Sequence, residues 1–345
     1  MKRAVVGIVG LSFALAFVAG FSGTAWSVED FFKGKTLRFI VGASPGGGYD
    51  TYTRTAARHI SKHFPGNPTP VVQNLTGAGG LIVANYLYNK VKPDGLTVGV
   101  WNNVFLLHEA LGSRRVNFKA RKFGWVGAPV TGWPSCAVMG FTGLKSWDDL
   151  VKSGKPLKVG SSGGTGTTLP TILNIASGKK LFDIVPGYKG TAIVRLALQA
   201  RELGGVCMAF ESMRVTARSM LDAKGDDKLV PILVHGNPPD KEVKDLPRVT
   251  DLVQGKDNVA MLNAWAVQYN FQRPVTLPPG TPKARVAAWR KAYAATLEDP
   301  AFLADAKKSK LNVVYVSGED AEKHTETILS MSPETKERLK WMLPK

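Results

Sequence analysis

The sequence has 345 residues, 44% hydrophobic and 21% charged, with 36 Gly, 21 Pro and only 2 Cys. This excludes a disordered tail protein and a disulfide-stapled miniature, and it predicts a core split over two lobes, because single cores stop growing near about 250–300 residues. Lys and Arg outnumber Asp and Glu by 45 to 27, a net charge of +18 that favours anionic partners without specifying a fold.

Lys2 and Arg3 precede a run without charge from Ala4 to Phe21, and the small, polar segment Ser22–Ser27 follows. That is the layout of a secretory signal peptide, cut before Val28 with Ala25 and Ser27 at the processing positions. The alternative is an uncleaved anchor, since about 18 apolar residues just span a bilayer. No Cys lies near the cut to carry a lipid, and no later stretch reads as a membrane span. Export would place the protein in an oxidising compartment. There Cys136 and Cys207, each within an apolar, strand-like run, either pair or remain two buried thiols in neighbouring strands.

Along the mature chain, Thr36–Ala43 reads as a strand ended by Ser44-Pro45-Gly46-Gly47-Gly48, and Asp50–His63 as a helix. Val71–Val72 is a short strand closed by Asn74–Gly80; Leu81–Val91 reads as a helix and Thr97–Trp101 as a third strand. Strand, Gly-rich turn, helix, strand is the order of a parallel α/β sheet. The pattern returns with a strand at Leu157–Gly160, the loop Ser161–Thr168 and a helix at Leu169–Ser177. Val206–Phe210, Leu229–Val234 and Met261–Tyr269 are predicted as strands. Pro282–Leu297, Pro300–Ser309 and Ala321–Leu329 are predicted as helices, with Val313–Tyr315 as a strand between them. The predicted division is a signal peptide over 1–27, a first lobe over 28–128 plus 260–345, and a second lobe over 129–259.

The candidate chemistry lies in three loops, Pro45–Asp50, Asn74–Gly80 and Ser161–Thr168. Each follows a strand and opens a helix, an arrangement that offers backbone N–H groups to an anion at the carboxyl end of a sheet. Enzyme signatures fare less well. Ser161–Thr168 lacks the Gly-Lys-[Ser/Thr] step of a phosphate-binding P-loop, and no loop completes a dinucleotide fingerprint. Gly160–Gly164 does fit the short G-x-S-x-G pattern of a hydrolase elbow with Ser162 as nucleophile, but only His235 and His324 follow it. His59 and His63 are the one ligand-like His pair and lack a third ligand, so no metal is expected. The basic residues form no aromatic-interleaved stripe, which argues against nucleic acid.

Taken together these segments resemble the extracytoplasmic solute-binding receptors of tripartite tricarboxylate transporters, the Bug family. The family's PGGxxD loop is matched by Pro45–Asp50, and N-x-x-GAGG by Asn74 with Gly77-Ala78-Gly79-Gly80. P-D-G-x-T stands at Pro93–Thr97, and S-x-G-x-G-[ST] is matched by Ser162, Gly164, Gly166 and Thr167. The V-P-Y-K-G step occurs as Val185–Gly190 with Gly187 inserted, and P-x-G-T-P as Pro278–Pro282. The resemblance covers nearly the whole mature chain in order. It implies a type II periplasmic-binding-protein fold, two α/β lobes hinged around a cleft that holds a small organic acid. The ligand-binding candidates by position are Gly47, Gly48, Tyr49, Asp50, Ala78 and Gly79 in the first lobe, and Ser162, Thr165, Gly166, Thr167, Thr168 and Tyr188 in the second. The strand-end residues Trp101, Asn102 and Asn103 should lie near the same cleft, with Glu211 beside it, but Asn102, Asn103 and Glu211 match no family motif. Glu211 either meets an amine or hydroxyl of the ligand or pairs with Arg214 at the surface.

The expectation is therefore a periplasmic receptor that captures a small carboxylated molecule and delivers it, by lobe closure, to the integral-membrane permease of a tripartite tricarboxylate transporter. It is expected to work as a monomer, without cofactor and without chemistry. A periplasmic ligand-sensing subunit of a signalling system and an exported hydrolase using Ser162 are the rival readings.

Overall fold

The computed structural model describes residues 31–238 and 240–343; the segment assigned to the signal peptide lies outside them. The strands form two sheets. The first contains β1 (Thr36–Val41), β2 (Thr69–Asn74), β3 (Thr97–Val100), β4 (Gly124–Ala128), β10 (Val275–Leu277) and β11 (Val316–Ser317), in the order β11-β4-β10-β3-β1-β2. The second contains β5 (Pro134–Met139), β6 (Leu157–Gly160), β7 (Phe182–Val185), β8 (Gly205–Ala209) and β9 (Leu229–Val234), in the order β7-β6-β8-β5-β9.

The same topology is used twice. β1 runs parallel to β2 and β3 on its two sides, and β6 runs parallel to β7 and β8. Beyond β3 and beyond β8 comes a strand of opposite direction, β10 and β5. In an open parallel sheet the connections leave the central strand to both sides, and a crevice opens at its carboxyl end. Here that end is Gly42–Gly48 in one lobe and Ser161–Thr165 in the other. The helices that follow are α1 (Gly48–Ile60) and α2 (Leu81–Asn89) in the first lobe, and α3 (Thr165–Ser177), α4 (Thr191–Gln199) and α5 (Phe210–Thr216) in the second. α1 packs Tyr52, Ala56 and Ile60 against the face of the first sheet that carries Phe39 and Val41.

The chain crosses between lobes after β4 and returns before β10, and the two crossings lie side by side. The Gln272 N–H donates to the Val130 carbonyl at 2.8 Å, and the Gly132 N–H to the Tyr269 carbonyl at 2.7 Å. An isolated antiparallel bridge between Val130 and Gln272 thus joins the two crossings at the hinge. Cys136 and Cys207, directly opposed on β5 and β8, are joined in a disulfide, which resolves the choice the sequence left open.

Two predicted strands are corrected. Met261–Tyr269 is helical, as α6 (Lys256–Ala266) continuing into a single turn of 3-10 helix over Val267–Asn270. Its buried residues Met261, Trp265 and Gln268 recur at helical spacing, a pattern that a short apolar run hides. The strand expected at Val313–Tyr315 instead starts directly after that segment, where Val316 and Ser317 pair with Ala128 and Gly127.

His235 follows β9 with its ring against Trp265, 5.9 Å between centroids, and its buried Nδ1 has no partner among the described residues. Burial lowers its pKa to about 4. The unfolded chain takes up this proton near pH 6.5 and the folded protein only near 4, so stability is intact above pH 6.5 and declines as the pH falls toward 4. His235→Phe should flatten the fall in melting temperature between pH 6.5 and 4, removing a loss on the order of 2–3 kcal/mol. An unchanged slope in the variant would refute this assignment.

Candidate functional site

A cavity of about 90 Å³ lies between the lobes at the carboxyl ends of β1 and β6. Gly47, Gly48 and Tyr49 line it from one side, and Ser162, Thr165 and Gly166 from the other. Lys189 and Gly190 contribute from the loop before α4, Thr191 from the first position of that helix, Ser212 from α5, and Gln268, Tyr269 and Gln272 from the returning hinge. The lobes touch around it: a Cβ on Gly79 would sit 3.5 Å from the Ser162 carbonyl oxygen, and one on Gly164 only 2.6 Å from Asn102 Nδ2.

Three helices begin at this cavity, and each has glycine at its N-cap position. Gly47 precedes α1, Gly164 precedes α3 and Gly190 precedes α4, and none of these positions supplies a side-chain cap. Helices ordinarily satisfy their first N–H groups with a Ser, Thr, Asp or Asn acceptor. Here the N–H groups of Gly48, Tyr49, Thr165, Gly166, Thr191 and Ala192 have no acceptor among the described residues. Three positive helix ends thus face one space. Among the described residues no Asp or Glu lines it, and Lys189 is its one charged side chain. Burial pushes the Tyr49 hydroxyl up to about 12, with Arg273 acting in the opposite sense, so Tyr49 stays protonated at neutral pH. Tyr269 donates to or accepts from Thr165 Oγ1 at 2.8 Å, tying the hinge to the start of α3.

Of the residues singled out in the sequence, Gly47, Gly48, Tyr49, Gly79, Asn102, Ser162, Thr165 and Gly166 come together around this cavity. Ala78, Thr167, Thr168 and Tyr188 line instead a second, open space of about 570 Å³ beyond the Gly79–Ser162 contact. Thr168 Oγ1 is engaged by the Trp265 indole N–H at 2.8 Å, and Thr167 Oγ1 lies 2.6 Å from Ser161 Oγ.

Four candidates stand outside the cavity lining and are engaged within the protein. Trp101 is fully buried among Phe118, Phe123 and Trp125, and its indole donates to Thr276 Oγ1. Asn103 is equally buried and donates to the Gln268 and Phe271 carbonyls, bracing the hinge. Asp50 accepts from the Gly46 N–H, Arg54 and Asn74, and these bonds outweigh burial and hold its carboxyl below the usual range. It therefore ties the first Gly-rich loop to the second. Glu211 does not pair with Arg214: its partner is the buried Arg273 at 3.4 Å, while Arg214 pairs with Asp240. Burial raises the Glu211 pKa and the Arg273 cation lowers it.

The sequence reading missed Lys189, Thr191, Ser212, Gln268, Tyr269 and Gln272. Thr191 carried a usable signal, because β7, Gly190 and α4 repeat the strand, glycine, helix order of the other loops. Gln268 and Tyr269 were hidden by reading Met261–Tyr269 as a strand, and Gln272 lies three residues beyond it. Ser162 makes no side-chain hydrogen bond among the described residues. His235 packs on Trp265 and His324 stacks on Phe271, and among the described residues neither hydrogen-bonds Ser162.

No family model matches the chain, and no curated protein does. Solved structures do. Rpa4515 of R. palustris with adipate matches with a TM-score of 0.67 at 21% identity, covering 86% of this chain and 94% of that one. The periplasmic binding protein BugD matches at 0.68 and 20%, covering 89% and 97%. MatC from Rhodopseudomonas palustris with bound malate matches at 0.66 and 18%, covering 86% and 97%. The chain has the two-lobed α/β fold of these periplasmic binding proteins.

Proposed function

We propose that the protein is a periplasmic solute-binding receptor of the Bug type, which captures a small carboxylated molecule and hands it to a membrane permease by closing its lobes. The observation that carries the reading is the convergence of three uncapped helix N-termini on one interlobe cavity. A carboxylate placed there would accept from N–H groups that have no other partner, at the positive ends of three dipoles. The donors come from both lobes, so an anion held by all of them favours the closed arrangement by its differential affinity for it. The fold shared with structures that hold adipate and malate supports the same ligand class. Ser162, without a histidine partner, fits a contact residue better than a nucleophile.

A melting-temperature series with the chain from Val28 tests this. Adipate, malate and related acids at a hundred times their dissociation constant should stabilise the fold by about 2.7 kcal/mol through mass action. Their amides at the same concentrations, without the charge, should stabilise it far less. A panel in which no acid raises the melting temperature would overturn the reading.

A further inference from the structure

Beside the cavity lies a charged group that the helix ends do not explain. Arg273, on the returning hinge strand, is 1% exposed and is neither at the surface nor in contact with the cavity itself. Its backbone has a φ of +61°, a conformation that costs a non-glycine residue free energy and persists only where surrounding contacts enforce it. Those contacts are visible. Its guanidinium lies 4.5 Å from the Tyr52 ring centroid and 5.5 Å from that of Tyr49, Nη1 is 3.4 Å from Glu211 Oε1, and Nη2 donates to Ser212 Oγ. The group is therefore oriented before any ligand arrives.

The hydrogen bond to Ser212 determines what that serine can do. A guanidinium has donors only, so Ser212 Oγ must spend an acceptor lone pair on Arg273. Its own proton is then free, and no described residue accepts it. Ser212 lines the cavity from the first turn of α5. Its Oγ faces α1 so closely that a Cβ on Gly48 would lie 2.8 Å from it. The Gly48 N–H is one of the donors without a partner.

The geometry points to Ser212 as a ligand-contacting donor and to Arg273 as the positioning residue that turns its hydroxyl toward a carboxylate held at the start of α1. This rests on the carboxylate reading and adds to it a source of selectivity. An acid offers acceptors both to the backbone N–H and to the Ser212 proton. An amide offers its carbonyl to one of them and sets an NH₂ against the other, which leaves a donor facing a donor.

The test is calorimetric titration of the intact mature protein with adipate and malate, each against its diamide. Ser212→Ala should weaken acid binding about tenfold to a hundredfold, the worth of one hydrogen bond to a charged group, and change diamide binding less than about twofold. Ser212→Thr, which keeps the hydroxyl, should restore the preference for acid. Arg273→Lys should lower the acid-over-amide ratio when Ser212 is present and leave it unchanged in the Ser212→Ala background. A merely structural arginine would instead shift acid and amide together in both backgrounds, and that result overturns the positioning role. A folded Ser212→Ala protein that binds acid as tightly as wild type overturns the donor role while leaving the carboxylate reading in place. Wild-type protein that binds neither acid overturns both. Should Arg273→Lys fail to fold, the Ala and Thr variants at Ser212 still decide whether that hydroxyl is used.

Discussion

Replacing Arg273 by Met should lower the free energy of unfolding by about 3–5 kcal/mol, because it leaves the Glu211 carboxylate buried without its cation. Both members of the pair are 1% exposed, and only backbone N–H groups such as that of Trp133 at 3.2 Å would remain as donors to Glu211 among the described residues. The loss should depend on pH, and its sign follows from the partner removed. Without Arg273 the burial of Glu211 is opposed by less, so its folded pKa rises further above the unfolded value near 4.3. A raised carboxyl pKa contributes stability at low pH that is lost as the pH rises through the folded value. The variant should therefore be penalised less at pH 5 than at pH 8. Adding Glu211→Gln should recover much of the loss, since a neutral amide costs less to bury than an uncompensated charge. Urea unfolding of the single and double variants at the two pH values measures all of this. Equal losses at both pH values, with no recovery in the double variant, would show that Arg273 matters for packing and not for charge.

The parts of the molecule legible in its sequence are those written in local chemistry. A glycine-rich turn between an apolar run and a helix has the same meaning wherever it occurs, so the strand ends at Gly42–Gly48 and Ser161–Thr165 were readable without coordinates. What the sequence did not disclose depends on partners far along the chain. Asp50 looks like a ligand-binding acid until Asn74 and Arg54 are seen to occupy it. Glu211 is separated from Arg273 by 62 positions and looks nearer to Arg214, three residues on, yet Asp240 claims Arg214. Trp101 stands at a strand end, as a pocket residue would, but its ring turns into the core toward Trp125 and Phe123. Gln268, Tyr269 and Gln272 reach the cavity only because the hinge brings the returning strand beside Val130. No periodicity announces a contact of that kind.

Closure of the cleft also depends on a glycine whose backbone does not need one. Gly190 has φ 168° and ψ 169°, extended values open to any residue, so its lack of a side chain serves the space around it. A Cβ there would lie 2.1 Å from Ser44 Oγ, 3.1 Å from Ser44 Cβ and 3.4 Å from the Ser44 nitrogen. Ser44 belongs to the loop after β1, so the two residues meet from opposite lobes. Rotating the Ser44 hydroxyl away removes the first of these contacts and leaves a tight one to Ser44 Cβ at 3.1 Å, and a valine adds two methyl groups to it. Gly190→Val should thus act as a wedge: each lobe keeps its own core and the melting temperature of the free protein stays within a few degrees. Overpacking of this size costs about 1–3 kcal/mol, and it falls on the closed arrangement alone. Carboxylate affinity should therefore drop by about tenfold to a hundredfold, while the free protein becomes measurably more extended in solution scattering. Ser44→Gly introduced beside the valine should return part of the affinity by vacating the space the wedge occupies. If Gly190→Val binds adipate or malate as tightly as wild type, the contact between Ser44 and Gly190 is not part of the ligand-holding state, and closure must bring the lobes together along a different line.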